Sequence, residues 1–365
     1  MQRLILFFAF FCSLFLLAAV PSFAQKTPAV QETYTKAVVN RILQEKQISV
    51  GGQNYFTQTV QVTPLTSGKT MTLSYGQATS RNQELATGDE VILLRSVENG
   101  KVMYAIYDKY RLNFIVLILI LFVVLILLVA QLKGFGSLLG LLVSISVILF
   151  FIVPRLLHGD DPMTVSIAGS LIILFVSTYI AHGISRQTTV ALIATFFSLM
   201  LTALLSFLFV VFTRLSGIGN EDIASLQLGA TRVINLQGLF LGGIIIGTLG
   251  ALNDITTTQS AAIFELARTT TGLSFGQLVK KGFSIGREHI VSLINTLVLA
   301  YAGSSLFIFI FLVLNAAQVP YWVILNTETI TDEVVATIAG SIGLILAVPI
   351  VTLLASYVAR YSIKK

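Results

Sequence analysis

The sequence is poor in the residues that carry most enzyme chemistry. Its 365 residues include one cysteine, three histidines and one tryptophan, and only 11% are charged. The single cysteine, Cys12, excludes an intrachain disulfide and a cysteine-ligated metal. No H-E-x-x-H or G-x-S-x-G occurs, so metalloprotease and serine-hydrolase machinery lack their parts. Ser67-Gly68-Lys69-Thr70 imitates the end of a phosphate-binding loop, but Thr63 stands where that motif needs its first glycine. No metal, cofactor or enzymatic activity is implied. Charge is the most informative shortage. Soluble domains carry about 25% charged residues, so a chain 55% hydrophobic and 11% charged is an integral membrane protein whose first partner is the lipid bilayer.

What is present begins with a secretory pattern. Arg3 precedes the apolar run LILFFAFFCSLFLLAAV, and Ser22-Phe23-Ala24 supplies a small-x-small end. Residues 1–24 therefore read as a signal peptide cleaved after Ala24, the alternative being an uncleaved first helix. Either way residue 25 emerges outside the cytoplasm.

Residues 25–112 form a second compositional block, rich in Thr, Gln, Val and Tyr. Alternation of apolar and polar residues recurs at 57–62, 70–75, 90–95 and 101–108, with Tyr34–Leu43 as a first strand. Gly51-Gly52, Pro64, Ser67-Gly68, Gly88-Asp89 and Asn99-Gly100 separate them, the last being a strong hairpin signal. Five short strands predict a small extracytoplasmic β domain, a barrel or sandwich with an OB-like fold as one form.

From residue 113 to 365 the chain turns apolar. Stretches of spanning length occupy 113–132, 135–153, 164–182, 189–213, 236–252, 290–314 and 334–358. Hydrocarbon about 30 Å thick needs about 20 helical residues, so the expectation is an α-helical integral membrane bundle of seven spans. Crossing alternately from outside, they leave the C-terminus in the cytoplasm. Inner positions then hold Lys133, Arg186, Arg268, Lys280, Lys281, Arg287, Arg360, Lys364 and Lys365, against Arg155, Arg214 and Arg232 outside. That inward excess of basic residues is the expected bias for a plasma-membrane protein. It explains the net charge of +6 without a nucleic-acid partner. Segment 183–213 also overlays 284–314 with seven identities in 31 positions, a weak internal repeat.

One stretch breaks the apolar pattern. TLGALNDITTTQSAAIFEL (248–266) follows a glycine-rich run holding Gly238, Gly242, Gly243, Gly247 and Gly250, whose spacing admits a close helix neighbour. Asp254, Thr258, Ala261, Glu265 and Arg268 share one helical stripe, in which Glu265 and Arg268 can pair. Asp254 ahead of Thr256 is also good capping chemistry for a second helix starting there. Asn253, Asp254, Thr256, Thr258, Gln259 and Glu265 are the candidate ion- or substrate-binding residues. Asn295 and Thr296 of the next span are placed opposite them, and Glu288 and His289 form a candidate proton relay. Interhelical hydrogen bonding is the commoner role for such residues. Elsewhere Asp161-Pro162 predicts a capped helix start, and Pro349 predicts a kink.

GTLGALNDITTTQSAAIFEL (247–266), GREHIVSLINTLVLAYAGSSL (286–306) and AGSIGLILAVPIV (339–351) together resemble the YibE/F-like membrane proteins of bacteria. The resemblance spans roughly residues 85–360 and implies a signal-like start, an outer domain and a multi-span bundle. The chain departs from that pattern where Asn253-Asp254 replaces a paired Asp-Asp, where Ala336 replaces a basic residue, and in lacking a proline near Phe307. The function expected is a permease for a small ion or solute, with its polar site at the junction of the fifth span and the following helix. The alternative is a non-transporting scaffold that binds an envelope partner through residues 25–112.

Overall fold

The computed structural model describes residues 32–50, 53–66, 68–78, 84–98, 101–219, 234–270, 272–315 and 319–362. The expected signal peptide, Gly51-Gly52, Asn99-Gly100, Arg232 and Lys364-Lys365 lie outside the described residues. Two compact units divide the chain, one ending at Ile126 and the other beginning at Leu127.

The first unit holds β1 (Thr33–Val50), β2 (Gln53–Pro64), β3 (Met71–Ala78), β4 (Glu90–Glu98) and β5 (Lys101–Lys109). They form one antiparallel sheet in the order β3-β2-β1-β4-β5. Strand β1 is longer than its sequence pattern implied, because it serves both β2 and β4. Register shifts between Val39 and Arg41 and between Ile42 and Gln44 bend it between the two partners. The outer strands β3 and β5 also touch, so the sheet nearly closes. Period-two alternation sends Ala37, Val39, Val60, Val62, Val91 and Leu93 inward to one core. Gln58 is buried there, and its amide copies a peptide group. Its Nε2 donates to Leu85 O at 3.1 Å, while Leu85 N–H donates to its Oε1 at 2.7 Å.

The helices are α1 (Leu112–His158), α2 (Pro162–His182), α3 (Arg186–Thr213), α4 (Leu236–Thr269), α5 (Phe275–Ser304), α6 (Leu306–Asn315), α7 (Tyr321–Leu325) and α8 (Glu328–Ser362). Among the described residues five are long and apolar enough to cross a membrane, or six if α5 and α6, bent by 63° at Ser305, count as one broken span. The expected seven are therefore shown only as a bundle of five or six membrane-length helices. The first two expected spans follow one another in α1 as two helices that meet at a kink, with no intervening loop. Only Gln131 leaves helical geometry, at φ 50° and ψ −130°. The expected span 290–314 starts earlier, at Phe275, since Ser274 and Gln277 form a reciprocal capping box. Asp161 caps α2 as its sequence predicts, accepting the Thr164 N–H at 2.9 Å. Helix α8 runs through Pro349.

Helix α4 is the hub of the second unit, packing on α2, α3, α5 and α8. Its Leu252 and Ile255 share one core with Leu174 of α2, Leu199 of α3 and Leu344 of α8. Small residues set the approaches. Gly242 faces Ser166, Gly340 faces Thr248, Gly343 faces Thr202, and Gly282 faces Thr352. The glycine run on α4 is only partly used this way, since Gly243 and Gly250 face open space.

Candidate functional site

The polar stretch does not sit at a junction. Helix α4 begins at Asn235, whose side chain accepts the Gly238 N–H at 3.0 Å, and continues unbroken to Thr269. Asp254 is therefore interior to the helix, and the capping expectation is corrected. The threonines that looked like helix-start chemistry are accommodated locally. Thr256 and Thr257 hydroxyls reach back to Asn253 O at 3.1 and 2.8 Å, which lets polar side chains ride inside a helix without ending it.

Two turns of α4, Asn253–Ser260, tie it to four other helices. Thr178 on α2 donates to Asn253 Oδ1 at 2.9 Å. The hydroxyls of Thr256 and Thr195 on α3 lie 2.6 Å apart. Gln259 Nε2 donates to Gly282 O on α5 at 2.7 Å and to Thr352 Oγ1 on α8 at 2.9 Å. Ser260 Oγ donates to Gln187 O on α3 at 2.9 Å. Thr178, Thr195, Thr256, Gln259, Ser260 and Thr352 are all fully buried.

The hydrogen bonding of this knot has two irregular features. Thr195 has Ala191 O at 2.9 Å and Thr256 has Asn253 O at 3.1 Å, in addition to each other. Two hydroxyl protons thus face three bonds, so only two form at once, and two of the three possible arrangements include the interhelical bond. Gln259 Oε1 is buried and has no hydrogen-bond partner among the described residues. A buried acceptor left empty costs about 1–3 kcal/mol, which a water, ion or substrate donor would recover.

The other candidates are distributed differently. Asp254, Thr258 and Glu265 share a stripe, as the sequence predicts, but that stripe is the exposed flank of α4. Glu265 pairs there with Arg268 at 3.7 Å. Glu288, Asn295 and Thr296 are exposed on α5, whose inward face consists of Gly286, Ile290, Leu293 and Leu297. Thr296 returns its hydroxyl to Ser292 O at 2.9 Å. The structure does not bring Asn295 and Thr296 onto Asn253–Gln259. His289 is half-buried, and its Nδ1 has no hydrogen-bond partner among the described residues.

Sequence reading missed Thr178, Thr195 and Thr352, which complete the knot. Thr195, Ser198, Thr202 and Ser206 recur every three or four residues on α3 and are buried throughout. That periodic hydroxyl face is the signal that would have found Thr195. Among the described residues no cluster of three or more His, Cys, Asp or Glu side chains is placed to hold a metal.

Long apolar helices gathered round a buried polar hub, with a β unit ahead of them in the chain, define a multi-pass helical membrane protein. The chain belongs to the YibE/F-like protein family, whose model matches residues 118–361. No curated protein and no solved structure matches it.

Proposed function

We propose that this chain is a permease for a small ion or solute, with the α4 segment Asn253–Gln259 as its polar site. The observation that carries the reading is Gln259. It is fully buried where α4, α5 and α8 meet, two donor bonds hold its amide, and its acceptor oxygen is unfilled. A membrane interior has no bulk water to satisfy such a group, so the vacant acceptor is a natural station for a passing proton carrier or ion. Asp254 and Thr258, on the adjoining flank of α4, form the coupling group and its approach. Glu265 stands further along the same flank. His289, with its open Nδ1, is the relay residue on α5, and Glu288 is its neighbour.

The topology that goes with this function has seven crossings. Helix α1 is 47 residues long, about 70 Å at 1.5 Å per residue. That length serves two crossings divided at Gln131, and α5 with α6 adds one broken span. Residues 25–112 then lie outside, as an OB-like domain, and the C-terminus lies in the cytoplasm.

A second reading is favoured by one observation. Every interhelical donor in the knot ends on a neighbouring helix, which is also how structural glue behaves. On that reading the bundle anchors a β domain that docks an envelope partner.

The test is flux in proteoliposomes under imposed ion and proton gradients. Gln259→Leu should reduce flux at least tenfold, and Asp254→Asn should uncouple it from the gradient. Equal rates for wild type and both variants would remove Gln259 from the path and Asp254 from the coupling role. Reproducible cross-linking of one envelope protein through residues 25–110, with no flux, would establish the scaffold instead.

A further inference from the structure

A second polar feature lies elsewhere on α4, about 20 Å along the helix from the knot. A recess of about 270 Å³ opens between α4, α5 and α8. Phe240, Ile244 and Ala336 form apolar walls, and Tyr301, Asp332 and Glu333 supply its polar groups. Asp332 is 8% exposed, and its Oδ1 is buried with no hydrogen-bond partner among the described residues. Its carboxylate is fixed from behind, where the Gly219 amide donates to it. The loop carrying Gly219 is itself clamped. Glu328 Oε1 accepts the Ser216 and Gly217 N–H groups at 2.5 and 2.8 Å, and Thr329 Oγ1 donates to Gly219 O at 2.5 Å. The open oxygen is therefore held in place by its surroundings.

We infer that this recess binds a small organic cation of the primary alkylammonium class. An unpaired buried carboxylate oxygen calls for a positive charge or a donor. An –NH3+ group has three donors, and Asp332, Glu333 and Tyr301, which line the recess, carry two carboxylates and a hydroxyl that can accept. Phe240 and Tyr301 add aromatic surface of the kind that attracts cations. The remaining apolar wall suits a short alkyl chain, and the volume equals roughly nine waters. A calcium-type ion is a poorer match, since it takes six to eight oxygens and only three of the eight lining residues carry a side-chain oxygen.

The experiment is equilibrium binding of n-propylammonium to the purified full chain in nanodiscs, with 1-propanol, sodium and potassium as comparison probes. Saturable binding of propylammonium at one per chain is expected, with 1-propanol at least tenfold weaker. Asp332→Asn should weaken binding at least tenfold and Glu333→Gln several-fold. Gly243 lines the same recess, and a side chain there meets nothing within 4 Å. Gly243→Leu should therefore fill the recess and abolish binding while leaving the thermal midpoint unchanged, which decides the matter should Asp332→Asn fail to fold. Absence of saturable binding, equal affinity for 1-propanol, displacement by sodium or potassium at lower concentration, or full affinity in Gly243→Leu would each overturn the inference. None of these outcomes depends on transport through the knot.

Discussion

Two glutamines, one in each unit, do opposite things with the same amide. Gln58 spends both ends on Leu85, standing in for a strand that is not there. Gln259 uses only its donor end and leaves the acceptor open. The difference separates a structural amide from a candidate site. Gln58→Leu should orphan both backbone groups of Leu85, a loss of about 1–3 kcal/mol. Hydrogen–deuterium exchange at the Leu85 amide should accelerate accordingly, and unchanged protection would remove that role. Of the knot residues, Asn253, Thr256 and Gln259 were legible because polar side chains in a membrane-grade run are conspicuous. Asp254 was equally conspicuous, yet conspicuousness does not say which flank faces the bundle. One residue's shift round a helix is about 100°, enough to separate buried Thr256 and half-buried Asn253 from exposed Asp254.

At the scale of elements, contacts between helices are set by where a side chain is missing. Gly343 on α8 lies against Thr202 of α3, and a β-carbon there would collide with the threonine hydroxyl. Thr202 has little freedom to turn away, because its Oγ1 donates to Ser198 O at 2.8 Å inside its own helix. Gly343→Val should cost about 1–3 kcal/mol of packing energy. It should lower the thermal midpoint in detergent, and a companion Thr202→Ala should restore part of the loss. An undiminished midpoint for Gly343→Val alone would contradict the close approach. Strand elements were read well because period-two alternation needs only a few residues to declare itself, as at Val60, Val62, Val91 and Leu93. Helix ends were read less well. The boundary expected after Leu252 rested on residue type, whereas a helix continues wherever its polar side chains find partners, as Thr256 and Thr257 do on Asn253 O.

For the whole molecule, the number of crossings decides which side each loop occupies. With two crossings in α1, Asp160 returns to the side that holds the β domain. In a chain whose single natural cysteine has been replaced (Cys12→Ser), Thr72→Cys and Asp160→Cys should react with a membrane-impermeant maleimide applied outside intact cells. Thr269→Cys and Tyr361→Cys should react only after permeabilisation. Labelling of Asp160→Cys from the side opposite Thr72→Cys would mean that α1 crosses once and would invert every loop after it. The glycine-rich first half of α4 shows the limit of pattern reading at this scale. Gly242 meets Ser166 while Gly243 faces the recess, and nothing local distinguishes the two.

The sequence by itself determined the membrane class, the β block ahead of the helices, the strand positions and the family. The first three depend on composition or on short-range periodicity, and the family on the resemblance of three motifs in order, none of which needs any knowledge of neighbours. Tertiary structure alone decided that α4 is continuous, that its buried face carries Asn253, Thr256 and Gln259 while Asp254 stays exposed, and that Asp332 lines a recess with Tyr301. Those outcomes depend on which helix packs on which side, and that is fixed by contacts between residues far apart in the chain, such as Thr178 with Asn253 and Gln259 with Thr352.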